Sequence, residues 1–195
     1  RDNSYTYSVH DNPSITALSD GGFVVIWDSF SSQDGSGIGV FGQRYDASGA
    51  AVGGEFQVNT YTTNFQYHSS VTASSDGGFV VAWESTGQDG SGNGIFGQRY
   101  DATGASVGSE FQVNSYTTAD QVNPSVAAMS DGGFVVTWQS WFQDGDEYEI
   151  FGQRYDASGV SVGVEFQVNT YTNNNQLHST IAALPDGGFV VTWNS

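Results

Sequence analysis

The chain has 195 residues, enough for one domain with a sizeable core, and 21 acidic against four basic side chains give a formal net charge of -17. That balance excludes binding to nucleic acid or to an anionic membrane surface, and no apolar run approaches the roughly 20 residues of a membrane-spanning helix. With no cysteine there is no disulfide framework, thiolate metal site or thiol nucleophile, and residues 1–12 lack the apolar centre of a signal peptide.

In chain order, residues 1–6 align with the end of an outer strand belonging to a preceding repeat. A first strand at 14–18 meets a second at 22–27 through Ser-Asp-Gly-Gly, a hairpin signal because glycine takes positive φ freely. A third strand at 40–45 meets a fourth at 55–59 across Asp46-Ala47-Ser48-Gly49. The pattern then returns: Asp-Gly-Gly-Phe-Val-Val begins at Asp20, Asp76, Asp131 and Asp186, in steps of 56, 55 and 55 residues. The one-residue surplus falls in the loop after Ser29. The period corresponds to one four-stranded unit, so repeats run over 14–69, 70–124 and 125–179, with a half repeat at 180–195, all within a single repeat domain, 1–195.

The side-chain pattern grades across each unit. Ala17, Ala73, Ala128 and Ala183 keep one inner position small; the second strand is apolar on both faces; the fourth alternates as an outer strand does. This predicts an all-β, β-propeller-like array of four-stranded antiparallel blades, with a β-solenoid as the alternative fold. About ten polar residues after Asn59 suffice to return the chain to the next inner strand. Three and a half blades leave faces to be covered, so self-association into a homo-oligomer or fibre, or further blades of a longer parent, is expected.

The combination of Asp-Gly-Gly-Phe-Val-Val-x-Trp, Gln-Asp-Gly-x-Gly, Phe-Gly-Gln-Arg-Tyr-Asp and Phe-Gln-Val-Asn-x-Tyr-Thr resembles tandem repeats of large secreted bacterial proteins of the RTX/hemolysin-type calcium-binding, adhesin-like class. The resemblance implies an extracellular or cell-surface setting and a calcium-rich environment, although the Gly-Gly-x-Gly-x-Asp nonapeptide of that class is not present. Asp131 to Trp138 is also similar to the sialidase Asp-box hairpin, but its Asp-to-Trp separation is two residues too long.

Most candidate residues have structural explanations. The recurring Trp27, Trp83, Trp138 and Trp193 read as core, and Arg44, Arg99 and Arg154, each beside a fixed Asp, read as ties between strands or blades. The histidines stand where other repeats carry Asn or Gln and bring no shared metal-ligand spacing. The third repeat alone departs from the pattern, with Asp144, Asp146 and Glu149 as candidate calcium ligands and Trp141 and Tyr148 as candidate glycan contacts. No other cofactor is expected. Without a nucleophile–base pair or facing carboxylates, the sequence reads as a non-enzymatic structural or adhesive module, with lectin-like glycan binding as the alternative.

Overall fold

A computed structural model describes residues 9–30, 32–145 and 147–195. The outer-strand end expected over residues 1–6, and Asp146, lie outside them. The strands are β1 (His10–Ala17), β2 (Phe23–Ser29), β3 (Gly39–Tyr45), β4 (Ala51–Gln57), β5 (Gln66–Ala73), β6 (Phe79–Thr86), β7 (Asn93–Tyr100), β8 (Ser106–Gln112), β9 (Gln121–Ala128), β10 (Phe134–Trp141), β11 (Tyr148–Tyr155), β12 (Ser161–Gln167), β13 (Leu177–Ala183) and β14 (Phe189–Asn194). They form three four-stranded antiparallel sheets in chain order and a final two-stranded one. The inner strands β1, β5, β9 and β13 contact one another in sequence, which is the arrangement of propeller blades about an axis and not of solenoid coils.

Turn chemistry explains the hairpins. In each Asp-Gly-Gly the Asp carboxylate accepts the second glycine's N–H, as in Asp20 Oδ1 to Gly22 at 2.9 Å. The first glycine has φ +85°, and a Cβ on the second would lie 2.2 Å from the Tyr45 carbonyl oxygen. Asp46 Oδ1 closes the β3–β4 turn by accepting the backbone N–H groups of Ser48 and Ala50 at 2.8 and 2.9 Å. The outer strand starts earlier than its alternation suggests. Gly53, at φ +72°, bends β4 without ending it, and Asn59 leaves the ladder because its side-chain oxygen accepts the Val40 N–H at 2.8 Å.

The second strands are buried on both faces, and the third strands equally so, while the outer strands are mostly exposed. Trp83 and Trp138 are fully buried, as the repeat requires; Trp193 is 36% exposed because β14 has no strand on its far side among the described residues. Ala73, Ala128 and Ala183 line the lower mouth of the channel with Met129.

Adjacent blades are joined by an aromatic wedge. Phe56 lies over Gly42 and meets Phe79 and Tyr100 of the next blade at 6.2 and 5.5 Å between ring centroids, and Phe111, Phe134 and Tyr155 repeat the arrangement. Arginines add polar ties. Arg44 and Arg154 pair with Asp20 and Asp131 on the same blade, and Arg99 donates to the backbone carbonyl of Ala157 on the next at 2.7 Å.

The wedge makes Gly97 a sensitive position, since an added Cβ would approach Phe111 Cζ to 2.7 Å. Gly97→Ala is expected to cost about 1–3 kcal/mol. Gly54→Ala, where a Cβ meets open space, should stay within about 0.5 kcal/mol of the wild type. Urea denaturation of the two variants side by side checks this; equal stabilities would show that the ring does not depend on the glycine.

Candidate active site at the upper channel mouth

Each inner strand carries one bulge near its start. The pairing register slips between Asp11 and Ser14, and correspondingly in the later blades. The bulged residues Asn12, His68, Asn123 and His178 all sit in the left-handed region, at φ 47°, 51°, 53° and 55°. A histidine there is uncommon and bulges re-aim side chains, so four equivalent bulges at one end of the channel single it out. These four residues, with Ser14, Ser69, Ser70, Ser125, Ser179 and Thr180, line an opening of about 440 Å³.

Two buried carboxylates stand behind it. Asp28 ends the apolar run of β2 and Glu84 that of β6; they are 0% and 1% exposed. Asp28 Oδ2 accepts Asn12 Nδ2 of its own blade at 2.9 Å and the backbone N–H of His68, on the next blade, at 2.8 Å. Glu84 Oε1 does the same one blade on, accepting His68 Nδ1 at 2.7 Å and the Asn123 N–H at 2.6 Å. The third blade breaks the series. Gln139 replaces the carboxylate, and its Nε2 is buried without a hydrogen-bond partner among the described residues.

Protonation follows this geometry. Burial pushes the Asp28 carboxyl up to about 6, against the opposing hydrogen bonds from Asn12 and His68. The Glu84 hydrogen bond raises the His68 imidazole above its ordinary value, outweighing partial burial. The Tyr67 phenol, desolvated and beside Glu84, is pushed up to about 12. The His68 side chain is 41% exposed, so an imidazole held by a buried carboxylate faces the opening. That is an acid–base group with a fixed tautomer: Nδ1 is committed to Glu84, and Nε2 is the nitrogen that gains or loses a proton.

The residues singled out from sequence are divided by the structure. Trp141 and Tyr148 pair across β10 and β11 at the same end of the molecule, with ring centroids 4.7 Å apart. Asp144 is exposed and accepts Gln167 Nε2 at 2.9 Å, whereas Glu149 is buried and accepts from Asn169 Nδ2. Glu149 takes the role that Asp34 and Asp89 play towards Asn59 and Asn114 in the other blades. Its position is glycine there, where a Cβ would crowd the Asp carboxylate at 2.8 and 2.7 Å. Among the described residues no cluster of three or more His, Asp or Glu could hold a metal ion.

Sequence reasoning passed over Asn12, His68, Asp28 and Glu84. The signal was present as a pair of columns: Asn12 with Asp28 and His68 with Glu84 are both 16 residues apart, and each pair hydrogen-bonds. Taken one column at a time, the variation looks like tolerance.

No protein-family model and no curated protein sequence matches the chain. Solved structures do. An endo-arabinase from Bacteroides thetaiotaomicron is similar with a TM-score of 0.58 and 14% identity, over 99% of this chain and 73% of that one. An α-L-arabinanase from Penicillium chrysogenum, complexed with arabinobiose, gives 0.61 and 13% over 93% and 58%. A protein of unknown function from Dyadobacter fermentans gives 0.70 and 12% over 98% and 58%. At these identities the likeness shows the β-propeller fold, and the chain spans only part of each neighbour.

These neighbours correct the functional expectation. The solved structures sharing the fold include glycoside-processing enzymes and not RTX/hemolysin-type calcium-binding adhesins, so the RTX resemblance is overturned. With it go the calcium-binding keyword and the reading as a non-enzymatic structural, adhesive or fibre module. The physical reason lies in the motifs. Asp-Gly-Gly and Tyr-Asp-Ala-Ser-Gly close hairpins and Phe-Gly-Gln-Arg seats the blade wedge, tasks set by blade geometry whatever the protein does.

The site predicts an unusual pH dependence of stability. Asp28 has a folded pKa raised above the unfolded value, so the stability it contributes is greatest below about pH 4 and is lost as pH rises through about 6. His68, also raised, loses its contribution in the same direction as pH rises through its folded pKa. Asp28→Asn removes the carboxyl's share: between pH 4 and 7.5 the variant should gain on the wild type by about 2–3 kcal/mol. Chemical denaturation at the two pH values checks it, and a difference that does not change with pH would show that Asp28 ionises without penalty.

Proposed function

We propose that the chain is a carbohydrate-processing propeller that cleaves glycosidic bonds at the upper channel mouth, with His68 as its acid–base residue. The observation that supports this best is the His68–Glu84 pair. A half-exposed imidazole is hydrogen-bonded at 2.7 Å to a buried carboxylate, at a place where the repeats diverge in charged and titratable residues at hydrogen-bonded positions. The arabinanases and arabinofuranosidase that share the fold support a furanose- or pyranose-containing glycan as the substrate class.

In the cationic form His68 Nε2–H donates its proton to the glycosidic oxygen as the bond to the anomeric carbon breaks. Water then adds to the oxocarbenium-like centre and passes its proton to the neutral His68 Nε2, which restores the cationic form. Glu84 fixes the ring through its hydrogen bond to Nδ1 and stabilises the imidazolium. Asp28 acts through the backbone: it holds the His68 N–H and therefore the bulge from which the ring projects. Asn12 and Asn123 supply neutral amides on either side, suited to sugar hydroxyls.

Release of reducing ends from arabinan and xylan tests the reading. His68→Asn installs the residue that two sister bulges already carry, so the fold should survive, while turnover should fall about 10²–10⁴-fold. Glu84→Gln should shift the alkaline limb of the pH–rate profile to lower pH, because the hydrogen bond that raises His68 is lost. No release by the wild type from either polymer, or undiminished release by His68→Asn, would refute the proposal.

A further inference from the structure

We propose that Trp141, Phe142 and Tyr148 form a stacking platform for a sugar ring at the upper rim of the third blade, an outlying subsite on the approach to His68. The inference rests on the glycan reading above. Three aromatic side chains meet here: Trp141 and Tyr148 are the last cross-strand pair of β10 and β11, and Phe142 meets Trp141 edge-on with ring centroids 4.9 Å apart. The second blade has Thr86, Gly87 and Asn93 at these positions, so the repeat does not require aromatics.

Phe142 is the decisive residue. It sits at φ 60°, where Gly87 sits at 75° in the second blade, and its side chain is 48% exposed. A bulky residue in the left-handed region costs backbone energy, and an uncovered ring recovers little of it through burial. Folding alone favours the glycine.

The surroundings connect the platform to the candidate site. The Trp141 N–H donates to the Asp120 carbonyl at 2.8 Å, and the Asp120 carboxylate accepts the Asn93 N–H at 2.9 Å. Asn93 lies beside Tyr67, whose hydroxyl also interacts with Glu84. A strip of hydrogen-bonding groups therefore runs between the second and third blades from His68 to the aromatic rings. Burial holds the Tyr148 phenol up, and the nearby Asp120 and Glu84 add to it.

This setting favours a sugar over an apolar peptide. The rings form a small island within an acidic rim, too limited for a hydrophobic protein interface, whereas a sugar presents C–H bonds to a ring face and hydroxyls to the flanking carboxylates.

Calorimetric titration of the His68→Asn protein with an arabinan hexasaccharide and with the disaccharide tests the subsite without turnover. Adding Trp141→Thr and Phe142→Gly, the second blade's residues, should weaken hexasaccharide binding about tenfold and leave disaccharide binding unchanged. Thermal melting confirms that the added substitutions keep the fold. Hexasaccharide binding that the substitutions do not weaken would overturn the subsite alone. No binding of either sugar before they are added would overturn the glycan reading and the subsite with it.

Discussion

A carboxylate buried between blades, accepting the backbone N–H of the next blade's bulge, is the contact on which the upper half of the structure depends. Asp28 holds His68 in this way and Glu84 holds Asn123. A bulged N–H has no partner in its own ladder, and an unpaired buried donor is costly, so a carboxylate is a strong acceptor for it. The same carboxylate has room for a second donor, and the bulged side chain of its own blade provides one. Each acid therefore fixes the position of one bulge and the orientation of another, and His68 is held at both its backbone and its ring. Structure and candidate chemistry share these atoms.

The lower half obeys a different constraint. Its hydroxyl and aromatic contacts repeat over the first two boundaries: Thr16 Oγ1 accepts the Ala73 N–H and Thr72 Oγ1 the Ala128 N–H, both at 3.2 Å, and the Phe–Phe–Tyr wedge recurs, with Phe166 and Phe189 keeping its Phe–Phe contact at the third. Contacts that two successive junctions share do not distinguish one blade from the next. Function needs asymmetry, and it accumulates at the end where the bulges free side chains from the ladder. Gln139 shows how far this goes, since the third blade gives up the carboxylate and leaves an amide nitrogen without a partner among the described residues.

The fold was legible because its determinants are local. An Asp-Gly-Gly turn, a strand apolar on both faces and a fixed period specify a blade without reference to its neighbours, and the strands follow them. The fourth strand was misplaced because Gly53 and Gly54 look like turn residues, yet a glycine at φ +72° can bend a strand that continues. The candidate site was not legible for the opposite reason. His68 and Glu84 lie on different strands, and Asp28 reaches His68 across a blade boundary 40 residues later. Variation between Asn and His at one position looks neutral until its hydrogen-bond partner is known. Trp141 and Tyr148 stood out in the sequence because they break the repeat, while Phe142 gained its meaning only from its backbone angle.

Charge compensation links these observations to the class of ligand. The chain has no lysine, and Arg44, Arg99 and Arg154 are occupied at the opposite end, with turn carboxylates or carbonyls. Among the described residues, the buried acids beneath the upper mouth are therefore satisfied by amides and an imidazole and not by arginines. Amides satisfy hydrogen bonds without neutralising charge, which is why burial still raises Asp28 to about 6. A ligand entering there meets serine hydroxyls, asparagine amides and the imidazoles of His68 and His178, with the His68 ring held by Glu84. A polyanionic glycan would be repelled by that field and by the net charge of -17, whereas a neutral one meets hydrogen-bonding groups without a Coulombic penalty. The same lack of fixed cations among the described residues leaves the protonation of Asp28 and His68 to change the charge of this end of the channel as pH changes.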